Sequence, residues 1–162
     1  MAVFRSLHQW LTFSRFDEGV RAWAGSALLL FLRLYVGWQF FNAGLVKIHD
    51  WNATLALFHE EYSVPLLPPT LAAYIGAFGE LTFPTLLFIG FCSRAAALGL
   101  FAVNAMAVIS YPILFKLDCP AAINDHKYWA ICIAMIFCFG PGRVSLDHLL
   151  GRRNATPAIA SA

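Results

Sequence analysis

Charge is scarce in this chain. Of its 162 residues only 12% are charged, whereas 60% are hydrophobic. Soluble domains contain about 25% charged residues, so a water-soluble chain of this composition would expose large apolar surfaces. The net charge is only +2 and the basic residues are scattered, which argues against a nucleic-acid-binding surface. The composition is the one expected of a protein whose solvent is lipid.

Several chemical signatures are also missing. The four cysteines, Cys92, Cys119, Cys132 and Cys138, form no Cys-x-x-Cys motif, which argues against a disulfide relay. There is no phosphate-binding loop, no dinucleotide fingerprint and no nucleophile elbow. No pair of histidines has metal-ligand spacing, so the sequence predicts no metal site and gives no support to a haem.

Long apolar runs are what the chain does contain. A membrane helix needs about 20 mostly apolar residues. Segments at about 22–46, 71–91 and 95–115 meet this length, and a shorter run at 128–139 meets it only if its helix begins near Asn124. The runs are apolar on all sides, unlike amphipathic surface helices. The predicted fold is therefore all-α, a transmembrane four-helix bundle occupying residues 22–150.

The two ends of the chain are predicted to lie outside this bundle. Residues 1–21 alternate large apolar side chains with arginines, which favours a short interfacial helix on the membrane surface; a loose polar tail is the alternative. Residues 151–162 are predicted to be a disordered tail.

Basic residues set the predicted orientation, because lysine and arginine favour the cytoplasmic side. With four spans both termini share one side. That side has seven arginines, at positions 5, 15, 21, 94, 143, 152 and 153, whereas the other has Lys47, Lys116 and Lys127. Both termini are therefore predicted to be cytoplasmic.

Two charged residues, Arg33 and Glu80, lie within predicted spans. A charge at the centre of a membrane helix costs about 2.5–3.5 kcal/mol on insertion scales, so such residues usually pair. Each lies about eleven residues from the cytoplasmic end of its span, which at about 1.5 Å per residue predicts similar depths and an Arg33–Glu80 ion pair. Gln39 and Asn104 are candidates to join it. The pair is either a ligand or proton site or a contact that fixes helix register.

A second polar cluster is predicted at the outer face, where the first span ends and the fourth begins. If the bundle closes there, these side chains line one outer mouth, with histidine able to exchange protons near neutral pH. The alternative is an ordinary solvated rim. The members are Lys47, His49, Asp50, Asp118, Asp125 and His126.

Three segments resemble the DoxX family of small four-helix bacterial inner-membrane proteins. They are RLYVG at 33–37, GAFGEL at 76–81 and GPGRVSLD at 140–147. Their order and spacing match over residues 28–150, most of the chain. The resemblance implies a multi-pass protein of the bacterial inner (plasma) membrane.

For function, the resemblance implies a membrane subunit or partner of a quinone-linked redox system, with a quinone and a soluble redox partner protein as candidate partners. Family members have been linked to quinone-connected sulfur oxidation and to oxidative or thiol stress. Distant relatives look like non-enzymatic chaperones and cargo receptors, so a membrane scaffold, chaperone or small transporter is the alternative. No catalytic residue can be carried over, and enzymatic activity and homo-oligomerisation stay open.

Overall fold

The computed structural model describes residues 14–115 and 121–154, and the side chains of 19–115 and 121–151. Within these residues every regular element is a helix, which confirms the all-α prediction. The α-helices, in chain order, are α1 (Ser14–His49), α2 (Trp51–Glu60), α3 (Pro69–Ile89), α4 (Ser93–Ser110), α5 (Ala121–Phe139) and α6 (Leu146–Asn154), and a 3-10 turn, Pro112–Phe115, follows α4.

Three helices in the described part of the chain are long and apolar enough to cross a membrane: Gly19–His49, Pro69–Ile89 and Ser93–Ser110. Their outer surfaces expose large apolar side chains, among them Trp23, Phe31, Phe78 and Phe101. The first three predicted spans are therefore helices that could cross a membrane, although the third ends at Ser110 rather than at position 115. Helix α5 has a comparable length of 19 residues, but polar residues fill its second turn, and it is not among these three candidate spans.

Small residues bring these helices together. A Cβ atom added to Gly37 would lie 2.6 Å from Phe88, and one added to Gly44 would lie 2.9 Å from Leu81. These contacts join α1 to α3 in antiparallel orientation. Gly79 fits against Val103 of α4 in the same way. Since apolar side chains gain little by leaving lipid for a helix interface, close backbone approach of this kind is what holds membrane helices together.

Helix α5 completes the packing by contacting both α4 and α1. The apolar core lies among the four long helices. It contains fully buried Val36, Leu87, Leu100, Ile133 and Ile136. The four long helices therefore share one core.

The turn between α3 and α4 is very short. Gly90 ends α3 with a φ of 67°, and Cys92 also has a positive φ of 48°. This left-handed geometry reverses the chain within three residues. It makes α3 and α4 antiparallel neighbours.

At the opposite end, α2 and the segment that follows it cover the bundle. Asp50 caps α2 by accepting a hydrogen bond from the Ala53 amide at 2.9 Å. The Ser63 amide donates to the Ser110 carbonyl at 2.8 Å, which fastens the 61–68 segment to the end of α4. Phe58 packs with Ala72 and Ala73 below this cover.

The predicted terminal segments are only partly described. Residues 14–21 continue α1 without a break, which makes that helix 36 residues long, or about 54 Å. Residues 1–13 of the predicted interfacial helix lie outside the described residues. At the other end, α6 extends to Asn154, so residues 151–154 of the predicted tail are helical, and the remainder lies outside the description.

Candidate functional site

Glu80 is held by Lys47. The Lys47 ammonium donates to both carboxylate oxygens, at 2.9 Å to Oε1 and 2.7 Å to Oε2. The two side chains are only 16% and 10% exposed. Gly44 allows α1 to approach the Cβ atom of Glu80 closely, and the Thr54 hydroxyl donates to the Lys47 carbonyl at 3.0 Å. The last turn of α1 is thus fixed against the middle of α3.

The predicted Arg33–Glu80 pair is wrong, and the helix register explains why. Gly37 faces Phe88 and Gly44 faces Leu81, so Arg33 lies level with about residue 92. Glu80 is about twelve residues away from that level, or about 18 Å along the axis. The prediction placed the cytoplasmic ends of both spans at one depth, but α1 begins well before the level at which α3 ends.

Arg33 instead lies at the opposite end of the bundle. It is fully buried, and its Nη2 donates to the Val144 carbonyl. Its Nη1 lies against Gly90, where any Cβ atom would clash. No described residue accepts a hydrogen bond from its Nε or Nη1. Arg33 therefore joins the segment after α5 to the α3–α4 turn.

Asn104 and His126 form the second buried polar contact. The Asn104 amide donates to the His126 carbonyl at 3.0 Å, and the His126 Nδ1 lies 2.7 Å from Asn104 Oδ1. The imidazole also packs edge-on against Trp129. This double contact joins α4 to α5. Asn104 was predicted to accompany Arg33 and Glu80, and its observed partner comes from the predicted outer cluster.

The predicted outer cluster is divided in the structure. Lys47 pairs with Glu80, and His126 pairs with Asn104. His49, Asp50 and Asp125 are exposed, with Asp50 serving as the cap of α2. Asp118 lies outside the described residues. Gln39, predicted near the buried pair, is half-buried on α1 and makes no hydrogen bond within the described part of the chain.

An apolar groove borders the Lys47–Glu80 pair. We call it the α3–α4 groove; it has a volume of about 470 Å³ and lies between α3 and α4, under the 61–68 segment. Small residues, Gly76, Gly79 and Ala102 among them, leave the space. Phe78 and Met106 line the groove and are 65% and 40% exposed, so it opens onto the apolar flank of the bundle. Its size falls within the range of small-molecule sites.

Two further polar groups line this groove and were missed by the sequence analysis. The Ser110 hydroxyl is buried without a hydrogen-bond partner among the described residues. Tyr62 packs against Phe58 and Tyr111, with ring centroids 4.8 and 5.1 Å away. Burial first, and then the nearby Glu80 carboxylate, raises the pKa of Tyr62, so its hydroxyl stays a donor at neutral pH. Neither residue has a sequence signature, because Tyr62 is placed by the path of the 61–68 segment and Ser110 is the last residue of α4.

The groove can therefore bind an apolar molecule and offer it polar atoms. Its lining includes an ammonium, a carboxylate and two hydroxyl-bearing side chains, and the rest of its walls are mostly hydrocarbon. No group of three His, Cys, Asp or Glu side chains that could hold a metal occurs among the described residues.

Comparison with known proteins identifies the family. The DoxX family profile matches residues 28–112, a little over half of the chain. The chain belongs to the DoxX family and is a DoxX-like membrane protein. It is also similar to an uncharacterised protein of Haemophilus influenzae, with 29% identity over 131 residues that cover 75% of this chain and 82% of the relative. No solved structure matches it.

Proposed function

We propose that the protein is a transmembrane four-helix bundle of the bacterial inner membrane, formed by α1, α3, α4 and α5. The support for α5 as the fourth span is its packing against α4 and α1 and its apolar second half. Its polar first turns then lie at the outer interface. The excess of arginine at the other end supports cytoplasmic termini. We also propose that residues 1–21 form a cytoplasmic interfacial segment and that residues 151–162 form a cytoplasmic tail.

Within this topology, we propose that the α3–α4 groove binds a lipid-soluble molecule with a small oxygen-bearing head, of the quinone class. The observation that supports this most is a buried ion pair on the wall of an apolar groove that opens towards lipid. Ionisable residues inside membrane helices are costly, and they commonly mark binding sites or proton paths.

The chemistry of a quinone fits the groups that are present. Its carbonyl oxygens accept hydrogen bonds, and Lys47, Tyr62 and Ser110 are donors in the lining of the groove. A reduced quinol donates hydrogen bonds, and the Glu80 carboxylate can accept one. The prenyl tail, being hydrocarbon, would leave between Phe78 and Met106 into lipid.

This binding site leads to a role as the membrane subunit or partner of a quinone-linked redox system. The three cysteines that the structure describes are all free: Cys92, Cys132 and Cys138. In this proposal a soluble redox partner protein at the membrane surface supplies the electrons for the quinone.

The scaffold alternative is supported by a different observation. Both Glu80 oxygens are bound by Lys47, and two glycine contacts between α1 and α3, at Gly37 and Gly44, set the helix register beside the pair. A bidentate pair of this kind can serve as a specificity contact alone. In that case the protein is a scaffold, chaperone or small transporter. A side chain that fills the groove then affects no redox chemistry.

A groove-filling substitution distinguishes the two. Ala102 is exposed and lines the groove, so Ala102→Phe occupies it without displacing the core; Ala134→Phe places the same side chain on exposed α5 outside it. In lipid nanodiscs, the wild type and Ala134→Phe should bind decylubiquinone in equilibrium titrations. Ala102→Phe should bind at least about tenfold more weakly, a loss of about 1.4 kcal/mol.

The proposal fails if folded wild-type protein binds no quinone analogue, or if Ala102→Phe binds as the wild type does. The first result supports the scaffold alternative. The second places the quinone elsewhere on the protein.

A further inference from the structure

A second cavity lies at the other end of the bundle, far from the groove. We call it the arginine pocket; it measures about 1010 Å³ and lies between the beginnings of α1 and α4, the end of α5 and the 140–148 segment. Arginines reach it from three separate segments: Arg21 from α1, Arg94 from α4 and Arg143 from the turn after α5. His148 of α6 also lines it.

Arginines outnumber acidic residues in the described lining of this pocket. Asp147 is its one acidic lining residue in the described part of the chain. Its two carboxylate oxygens accept hydrogen bonds from the Cys92 and Ser93 amides at 2.8 and 2.9 Å, so this carboxylate is directed to the beginning of α4. Neither Arg94 nor Arg143 forms an ion pair with a described carboxylate.

The two guanidinium groups without a carboxylate partner among the described residues, those of Arg94 and Arg143, lie at the exposed edge of the cavity. Arg143 lies over the ring of Trp23, 5.5 Å from its centroid, and its amide donates to the Ser26 hydroxyl at 3.2 Å. The Arg94 guanidinium lies near the Gly140 backbone, where a Cβ atom would be 3.8 Å away. Arginine in such a position favours two-point hydrogen bonding to phosphate oxygens.

The rest of the pocket is apolar. Leu28, Leu29, Met135 and Phe139 line it between α1 and α5, and Leu28 and Phe139 are 50% and 72% exposed. This apolar wall continues onto the surface that we assign to lipid. Trp23 is 62% exposed at the same end, where tryptophan marks the membrane–water interface. The pocket thus combines a cationic mouth with hydrocarbon walls.

We infer that the arginine pocket is a binding site for an anionic phospholipid of the leaflet in which the arginines lie. The phosphate group is held between Arg94 and Arg143, and an acyl chain lies against Leu28, Leu29 and Phe139 between α1 and α5. We assign a lipid rather than free phosphate because the pocket has hydrocarbon walls. Free phosphate would need only the arginines. Basic pockets between membrane helices bind anionic lipid head groups in this way. This inference does not rest on quinone binding at the α3–α4 groove.

The test uses the delipidated full-length protein in a neutral detergent. Affinities for short-chain phosphatidylglycerol and phosphatidylcholine are measured by native mass spectrometry, with inorganic phosphate as a separate ligand. The variant Arg94→Gln/Arg143→Gln removes both cations. Arg94→Lys/Arg143→Lys keeps the charge, and Lys127→Gln removes an exposed charge at the other end of the bundle.

The wild type and Lys127→Gln should bind phosphatidylglycerol more tightly than phosphatidylcholine. The glutamine double variant should lose about a hundredfold in phosphatidylglycerol affinity, since each charged hydrogen bond is worth about tenfold. The lysine variant should recover part of this loss. Inorganic phosphate should bind weakly to all variants.

Three results would overturn the inference. Equal affinity of the wild type for the two lipids removes the charge preference. If Lys127→Gln loses as much phosphatidylglycerol affinity as the glutamine double variant, the affinity depends on net charge and not on the pocket. Arginine-dependent binding of inorganic phosphate as tight as that of the lipid assigns the pocket to a soluble phosphate compound instead.

Discussion

The two ends of the bundle satisfy their buried charges in different ways. At the groove end, two side chains of opposite charge, Lys47 and Glu80, are bound to each other. At the arginine end, the chain's backbone provides the partners. Arg33 donates to the Val144 carbonyl, and Asp147 accepts from the Cys92 and Ser93 amides. A side chain in such a pair can leave its partner and bind a ligand instead. Contacts with the backbone mainly hold chain segments in place.

The backbone contacts explain why the end of α5 is followed by an ordered segment. The Asp147 amide donates to the Gly90 carbonyl at 2.9 Å, while its carboxylate caps the beginning of α4. Ser145 accepts from the His148 amide at 3.2 Å and so caps α6. The 140–148 segment is therefore fastened to the α3–α4 turn, and α6 begins from a fixed point.

The largest effect is expected from removing one member of the side-chain pair. Lys47→Met leaves the Glu80 charge buried without a partner, which should cost about 3–5 kcal/mol of unfolding free energy. Equilibrium unfolding in mixed detergent and dodecyl sulfate measures this. Lys127→Met, an exposed control, should change it by less than about 0.5 kcal/mol.

The double variant Lys47→Met/Glu80→Leu should recover most of that loss, because an apolar pair of similar size is often as stable as a buried ion pair. If Lys47→Met is as stable as the wild type, the Lys47–Glu80 pair is more hydrated than its 16% and 10% exposures indicate. The two ends of the bundle would then not differ in how they stabilise buried charge.

At the arginine end, Asp147→Ala should have a smaller effect, about 1–2 kcal/mol. It leaves two backbone donors at the beginning of α4 without their acceptor, as in the loss of a helix cap. Asp147→Asn, which keeps one acceptor oxygen, should lose about half as much. The same unfolding assay applies, and exposed Asp125→Ala is the control. A loss as large as that of Lys47→Met would show that Asp147 mainly balances the Arg33 charge.

The smallest effect is expected between α4 and α5. Asn104→Ala removes the two contacts with His126. Hydrogen bonds between membrane helices average about 0.6 kcal/mol and reach about 1.7 kcal/mol, so the loss should lie in that range. A larger loss would make this contact comparable with the Lys47–Glu80 pair.

The helices were largely predictable from the sequence. Runs of apolar residues locate α1, α3 and α4, because membrane-spanning helices depend on length and composition alone. The short Ser93–Arg94 connection predicts that α3 and α4 are neighbours. The beginning of α5 was harder to place, since Asp125, His126 and Lys127 interrupt its apolar pattern although they lie within the helix.

The pairing of charges was not predictable in the same way, because it depends on register. Arg33, Lys47 and Glu80 were all identified as candidates, but the sequence does not give the offset between α1 and α3. That offset is fixed by Gly37 against Phe88 and Gly44 against Leu81. The groove was missed for a related reason: its space is left by small residues on two helices and closed by Tyr62 from a third segment.

The most direct test of the account is decylubiquinone binding to the Lys47→Met/Glu80→Leu double variant, measured in nanodiscs beside its unfolding free energy. The account predicts a variant about as stable as the wild type that no longer binds the quinone. A stable double variant that binds quinone as well as the wild type would contradict it, because Lys47 and Glu80 would then serve only to join α1 to α3.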